Sequence, residues 1–317
     1  MEVIKRYDQI TPAHEVVCLP NAASFSNTFF SQPLTSFAQG WNDPSNLEVE
    51  LEFVAPSVEV PRYFQWRKHD NKSAFYTESN DERHIGGDFK KVEYKGELVT
   101  DRTINRGLQV IVDLDEVGDD TAWQERYTSW LLRRMVRNDL VTAGGLLFAG
   151  ASNTAKTWDS SADPDDDLMS LVDASGDLIG FNPNRIYSGS AAWQKRVRAF
   201  RAQDNAGARA SAMMTPDQVA AWLGIDQLFV SKSRYQSTAT AKAKIVGSQL
   251  VAFQAESGMM AKEDASNIKR FVSRCGDGSF RRVYVREISE KLMGITVERY
   301  VKTVITATTG LKKYTVS

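Results

Sequence analysis

Hydrophobic and polar positions alternate most regularly at 47–53, where Leu47, Val49, Leu51 and Phe53 are separated by Glu48, Glu50 and Glu52. A two-residue period with one apolar face predicts a strand, ended by Pro56 and Pro61. Upstream, residues 1–46 are polar and weakly periodic but carry Phe25, Phe29, Phe30, Phe37 and Trp41. Free tails are depleted in aromatics. This segment reads equally as a short helix packed on its own core or as an arm docked on a neighbouring molecule. From Tyr63 to Gly107 the chain is charged and polar, with strand-like pieces such as Phe89-Lys90-Lys91-Val92-Glu93-Tyr94. That stretch is far longer than the usual 2–6 residue connection and too poor in apolar residues for a core, so a two-stranded ribbon lying on something else is expected.

The run Leu-Gln-Val-Ile-Val-Asp-Leu at 108–114 alternates again, and Asp119-Asp120-Thr121 offers a helix cap. Trp123, Tyr127, Trp130, Leu131, Met135 and Leu140 then recur at three- and four-residue steps, with Arg126, Arg133, Arg134 and Arg137 mostly elsewhere. One apolar stripe predicts an amphipathic helix over 121–148, about 40 Å long, which Gly144-Gly145 would shorten or kink. Residues 150–180 read as turn-rich and acidic around Asp163-Pro164-Asp165-Asp166-Asp167. A basic helix is expected over 190–201, and Thr215-Pro216-Asp217-Gln218 opens another. Leu228-Phe229-Val230 reads as a buried strand and 244–253 as a strand pair turning at Gly247-Ser248. Two further strands, 282–285 and 294–306, are rich in Val, Ile, Thr and Tyr. The fold class is α+β.

Composition changes this picture little. The 317 residues can bury a sizeable core, and 39 Lys+Arg against 40 Asp+Glu leave a formal charge of −1. Tight binding of duplex DNA needs a clustered basic surplus, so a near-neutral chain is a poor candidate for it. Near neutrality suits a subunit surrounded by copies of itself. Cys18 and Cys275 are too few for a disulfide framework and have no zinc spacing. The first residues do not read as a signal peptide, and no apolar run reaches the length of a membrane helix. The expected location is the cytosol.

Catalytic motifs are not found. His14, His69 and His84 have no metal-binding spacing, and the acidic run at 163–167 lacks the glycine and distal glutamate of a calcium loop. It reads as a solvated turn. There is no phosphate-binding P-loop, no dinucleotide fingerprint and no nucleophile elbow. Ser188-Gly189-Ser190 reads as a serine cap rather than an anion site. Lys195-Arg196-Val197-Arg198-Ala199-Phe200-Arg201 reads as a solvated face or a salt-bridged subunit interface rather than a nucleic-acid site. No catalytic residue, cofactor or metal is expected, and the chain is read as a structural protein.

The order and spacing of these segments resemble the major capsid proteins of tailed bacteriophages, whose subunits share the Hong Kong ninety-seven fold also used by encapsulins. In particular, 226–235 followed by 241–253 is similar to that family's strand, small-residue turn, tyrosine and second strand. The resemblance implies an N-terminal arm at 1–46 and a strand with an extended E-loop at 47–107. It further implies a peripheral domain with a long spine helix at 108–180, an axial domain at 181–270, and closing strands of the peripheral domain at 271–317. The implied function is a major capsid protein that self-assembles as hexamers and pentamers into the icosahedral shell around a double-stranded DNA genome. The alternative is an encapsulin-type compartment shell. Implied partners are other copies of the chain, a portal, a separate scaffold and packaged DNA held non-specifically; no membrane is involved. Candidate inter-subunit contacts are Phe25, Phe29 and Phe30 in the arm, and Tyr63, Phe64, Trp66, Phe75, Tyr76, Phe89 and Tyr94 in the ribbon. The implied location is the virion capsid, with the host cytoplasm during assembly. Crosslinking through Lys68, Lys72, Lys90, Lys91 or Lys95 is not expected.

Overall fold

A computed structural model describes residues 29–75, 82–91, 96–203, 205–258 and 264–317. The chain divides into two units: residues 1–42, 105–135 and 274–300, and residues 43–104, 136–273 and 301–317. Elements are numbered below over the described residues.

In the first unit, α1 (Gln32–Gly40) and the opening half of the long α5 (Trp123–Gly150) cover strands β4 (Ile104–Asp113), β12 (Arg282–Ser289) and β13 (Leu292–Ile305). Strands β12 and β13 form an antiparallel hairpin in which Val283 faces Val297 and Val285 faces Ile295. Their inward side chains meet Leu34 and Ala38 of α1 and Leu131, Leu132 and Met135 of α5. Of the stripe expected on the long helix, Leu131, Met135 and Leu140 are buried and Trp123 and Tyr127 pack against this core half-buried, whereas Trp130 is exposed. Asp120 accepts the N–H of Ala122 at 3.1 Å just ahead of that helix. Gly144 and Gly145 lie inside it without ending it.

The second unit is built on a five-stranded sheet ordered β5 (Ser152–Lys156), β14 (Lys312–Val316), β10 (Gln249–Phe253), β6 (Arg185–Gly189) and β7 (Gln227–Ser231). Helices α6 (Pro164–Ile179), α7 (Ser190–Ala202) and α9 (Pro216–Leu223) lay Leu168, Leu171, Ala192, Ala199 and Val219 on Ile186, Leu228 and Leu250 of that sheet. The helix opening at Thr215-Pro216 is as expected, and Thr215 and Gln218 form a capping box ahead of α9. Between α7 and α9 lies the short α8 (Ala206–Met213).

Three expectations are corrected. Residues 47–53 form not a strand but a helix, α2 (Leu47–Val54). At 100° per residue Leu47, Glu50, Leu51 and Val54 share one face, and all four are buried, while Val49 points outward. Both carboxylate oxygens of Asp43 hold the start of this helix, one accepting from Ser45 N–H just ahead of it at 3.0 Å and the other from Leu47 N–H in its first turn at 2.8 Å. The run at 163–167 is not a solvated turn but the start of α6. Asp163 caps the N–H groups of Asp165 and Asp166, and Pro164 occupies the first turn. Residues 244–253 are not a strand pair. Strand β9 (Lys242–Lys244) pairs with β8 (Arg234–Gln236), while β10 pairs with β6 and β14.

Gly189 explains how the chain gets from β9 to β10. A Cβ there would stand 1.9 Å from the Gly247 carbonyl oxygen, so the returning backbone crosses directly over a residue without a side chain.

The ribbon is present at its base. Strands β2 (Tyr63–Arg67) and β3 (Leu98–Arg102) are antiparallel, with Phe64 opposite Asp101 and Trp66 opposite Val99. Nearby, β1 (Ser57–Glu59) runs parallel to β11 (Ile268–Ser273).

Candidate functional site

The ribbon's side chains fall into two sets. Phe64 and Trp66 are buried within the chain, their rings 4.5 Å and 6.3 Å from that of Phe271, in a cluster completed by Val58. Their apolar surface is already used. Tyr63, on the opposite face of the same strand, is 65% exposed. Phe75 is 48% exposed and lies beside Phe181, ring centroids 6.3 Å apart. It also lies over Gly180, where φ is +99° and a Cβ would come within 2.4 Å of the ring. Phe89 is 71% exposed, with the Arg83 guanidinium 5.1 Å from its ring. Phe25, Tyr76 and Tyr94 lie outside the described residues, as do His14 and Cys18.

Polar contacts pin the ribbon's base. Lys302 pairs with Asp101, the hydroxyls of Thr103 and Ser273 are 2.8 Å apart, and Val60 N–H donates to the Val272 carbonyl at 2.9 Å. Further out, Lys68 meets Glu97 at 2.8 Å, an exposed pair of small energetic consequence.

In the first unit, Phe30 makes an antiparallel bridge to Tyr284, and Ser31 N–H donates to Val283 O at 3.0 Å. The guanidinium of Arg282 lies 4.7 Å from the Phe30 ring, and that of Arg286 lies 5.7 Å from Phe29. Both aromatics are half-buried on their own unit. On α5, Trp130 is exposed under the Arg134 guanidinium, 4.4 Å away, between two open grooves of about 350 and 380 Å³.

Polar clusters inside the second unit are structural. Arg196, expected on a solvated or interfacial face, is instead buried and grips Asp165 with two hydrogen bonds of 2.6 and 2.8 Å. The reason is local. Asp165 sits in the first turn of α6, and α7 must lay this face on the sheet, so the arginine enters already matched to a carboxylate. Trp193 and Phe200 flank its guanidinium at 4.8 and 5.2 Å. Asp167 accepts from Lys156 at 2.6 Å and from Trp158 Nε1 at 2.8 Å. The hydrogen bond from Lys156 to Asp167 raises that ammonium's pKa against a smaller opposing effect of burial. Only about 10 Å³ of space remains beside Arg196, too little for a substrate.

Glu50 is buried and accepts from the Tyr187 hydroxyl at 2.7 Å and from the Ser233 hydroxyl. In the first unit, burial, with Glu298 and Asp277 adding to it, pushes the Cys275 thiol up to about 12, which keeps it a neutral, poor nucleophile. Among the described residues no group of three or more His, Cys, Asp or Glu side chains could hold a metal, and no helix is long and apolar enough to cross a membrane.

One surface was missed by the sequence reading. The β8–β9 hairpin places Arg234 opposite Lys244 and Gln236 opposite Lys242. Cross-strand partners share a face, so three cations and an amide line one side while Tyr235 and Ala243 take the other. Lys232 immediately precedes β8. None of these four cations forms an ion pair among the described residues. The tip is tied by its own bonds: Ser237 N–H to Ala241 O at 3.0 Å, Ala241 N–H to the Thr238 hydroxyl at 3.0 Å, and the Gln236 amide to Thr238 O at 2.9 Å. The available signal was negative. From Gln227 to Ala255 there are four cations and no acidic residue.

No family model and no curated protein matches the chain. Among solved structures it is similar to a phage-related protein from Bordetella bronchiseptica, with a TM-score of 0.67 at 15% identity over 90% of this chain and 96% of that one. It is similar to the capsid structure of the cyanophage P-SCSP1u, with a TM-score of 0.52 at 6% identity over 84% of this chain and 87% of that one. A structure from Gordonia phage Cozz gives 0.50 at 10% identity over 88% and 90%. At such identities the likeness is one of fold, and the chain has a phage capsid fold.

Proposed function

We propose that this chain is the shell subunit of a tailed-phage head. Copies of it associate as hexamers and pentamers into an icosahedral shell around double-stranded DNA, with a portal and a separate scaffold as further partners. It performs no chemistry. It assembles in the host cytoplasm and ends in the virion.

The observation that carries this reading is that 84% of the chain follows the backbone of a cyanophage capsid. The ribbon adds physical support. Its base is anchored by Phe64 and Trp66, whereas Tyr63, Phe75 and Phe89 leave large aromatic surfaces in water. Burying one such ring is worth about 1.5–3 kcal/mol. A second copy is the natural place to recover it, and repeated contacts of this heterologous kind close into shells where the rotations allow.

The test is negative-stain electron microscopy with light scattering on the purified protein across protein and salt concentrations. Closed shells, or six- and five-membered rings, are the expected result. Nucleic acid rather than enzyme cargo inside shells recovered from cells would separate a phage head from a compartment shell. A uniform monomer under every condition would sink the proposal.

A further inference from the structure

The β8–β9 hairpin gathers Arg234, Lys242 and Lys244, with Lys232 just ahead of it, and none of these cations forms an ion pair among the described residues. The whole chain carries −1, yet residues 227–255 carry +4, leaving −5 for the rest. Within the hairpin, Arg234 and Lys244 stand directly opposite each other, an arrangement that destabilises a ladder. Neither forms an ion pair among the described residues, whereas Asp101, Asp165 and Asp167 each pair with a cation elsewhere in this unit, and the carboxylate at the hairpin's base, Glu50, is buried and accepts from Tyr187 and Ser233.

The uncharged residues say what kind of partner relieves it. Between Lys232 and Lys244 they are Ser233, Tyr235, Gln236, Ser237, Thr238 and Thr240, with alanines between. A protein-binding surface needs a desolvated core of large apolar or aromatic anchors. The exposed part of this finger has none, since Tyr235 is half-buried. Arg, Lys, Ser, Thr, Gln and Tyr are instead the side chains that contact phosphate and sugar oxygens. The finger is also ordered in advance, by the tip bonds described above and by the Ser233 hydroxyl on Glu50 at its base.

We propose that the cationic face of the β8–β9 hairpin, carrying Arg234, Lys242 and Lys244, is a contact site for the phosphate backbone of double-stranded nucleic acid, read without sequence preference. The inference rests on the shell reading only for the source of that nucleic acid, the packaged genome.

The test is fluorescence anisotropy of a labelled 30-base-pair duplex of mixed sequence with the full chain, below its assembly concentration, from low to moderate salt. Wild type should bind with a log affinity that falls linearly with log salt. The triple variant Arg234→Ser/Lys242→Ser/Lys244→Ser should bind on the order of tenfold more weakly at low salt, with a salt slope shallower by about 2–3, as expected for three lost phosphate contacts. Arg198→Ser/Arg201→Ser, on exposed positions of α7, should change neither. If the triple variant melts early, Lys242→Gln/Lys244→Gln supplies the same comparison with a slope change of about 2. Unchanged affinity and slope overturn the inference. So does loss of self-association with DNA binding intact, which would assign the finger to an acidic protein surface. A wild type that forms no shells yet loses DNA binding with the hairpin cations would leave this inference standing and remove the shell proposal.

Discussion

The β2–β3 and β8–β9 hairpins are each two strands wide, antiparallel and part of the same unit, and an isolated pair of strands is at best marginal in water. They reach order by different means. The first turns one face, Phe64 and Trp66, onto Phe271, and leaves only its other face to the surroundings. The second has no comparable apolar anchor and holds itself by hydrogen bonds within its tip and by Ser233 on the buried Glu50. The lesson is that side-chain chemistry, and not strand pairing, decides what a hairpin leans on: the first draws stability from its own chain, and the second waits for charge from outside.

The sharpest way to break this contrast is Phe64→Ala. Truncating a buried phenylalanine costs about 3–5 kcal/mol, so the urea midpoint should fall steeply and amide exchange across 98–102 should quicken. Tyr63→Ala, one residue away on the open face, should barely move the midpoint. Equal losses from the two would refute the division into a spent face and a free one.

A smaller effect tests the polar anchor. Burial, reinforced by Glu50's charge and hydrogen bond, holds the Tyr187 phenol above its ordinary 10.0. The stability associated with keeping that proton is fully present below pH 10 and is lost as pH climbs from there toward the raised folded value. Tyr187→Phe should therefore cost about 1–2 kcal/mol near neutrality, by leaving Glu50 with one donor fewer, and should flatten the alkaline limb of a stability–pH curve. Tyr284 and Tyr314, both raised by burial, keep that limb from vanishing. An alkaline limb identical to wild type would contradict the assignment.

The least perturbing substitution is Lys244→Gln. It should leave global stability within about 0.5 kcal/mol and raise it slightly at low salt, because it removes the cation facing Arg234. A large loss on thermal melting would mean that Lys244 supports the fold after all.

How far the sequence could be read follows the same physics. The long helix, the cap at Thr215 and the β12–β13 strands were legible because each writes its period or cap into neighbouring residues. At 47–53 the alternation also satisfies a helix with Glu50 turned inward, and nothing local says that Tyr187 and Ser233 will donate hydrogen bonds to that carboxylate. The segment 244–253 was paired with itself because the true partners lie far off in sequence or beyond a turn that the small, polar residues 237–241 conceal. Among the candidate contacts, Phe64 and Trp66 could not be told from Tyr63 and Phe89 by type, since only register against Phe271 separates them. The basic cluster was sought in 195–201, where arginines crowd the sequence, yet Arg196 there faces Asp165.

That last pair also constrains the order in which the molecule comes together. Arg196 and Asp165 belong to different helices, 31 residues apart, and both end beneath the apolar layer over the sheet. A buried charge stripped of its partner costs several kcal/mol, so neither α6 nor α7 gains by settling onto the strands ahead of the other. The ion pair acts as an interlock: α6 and α7 are expected to bury that layer together, because either alone would leave a charge there without its partner.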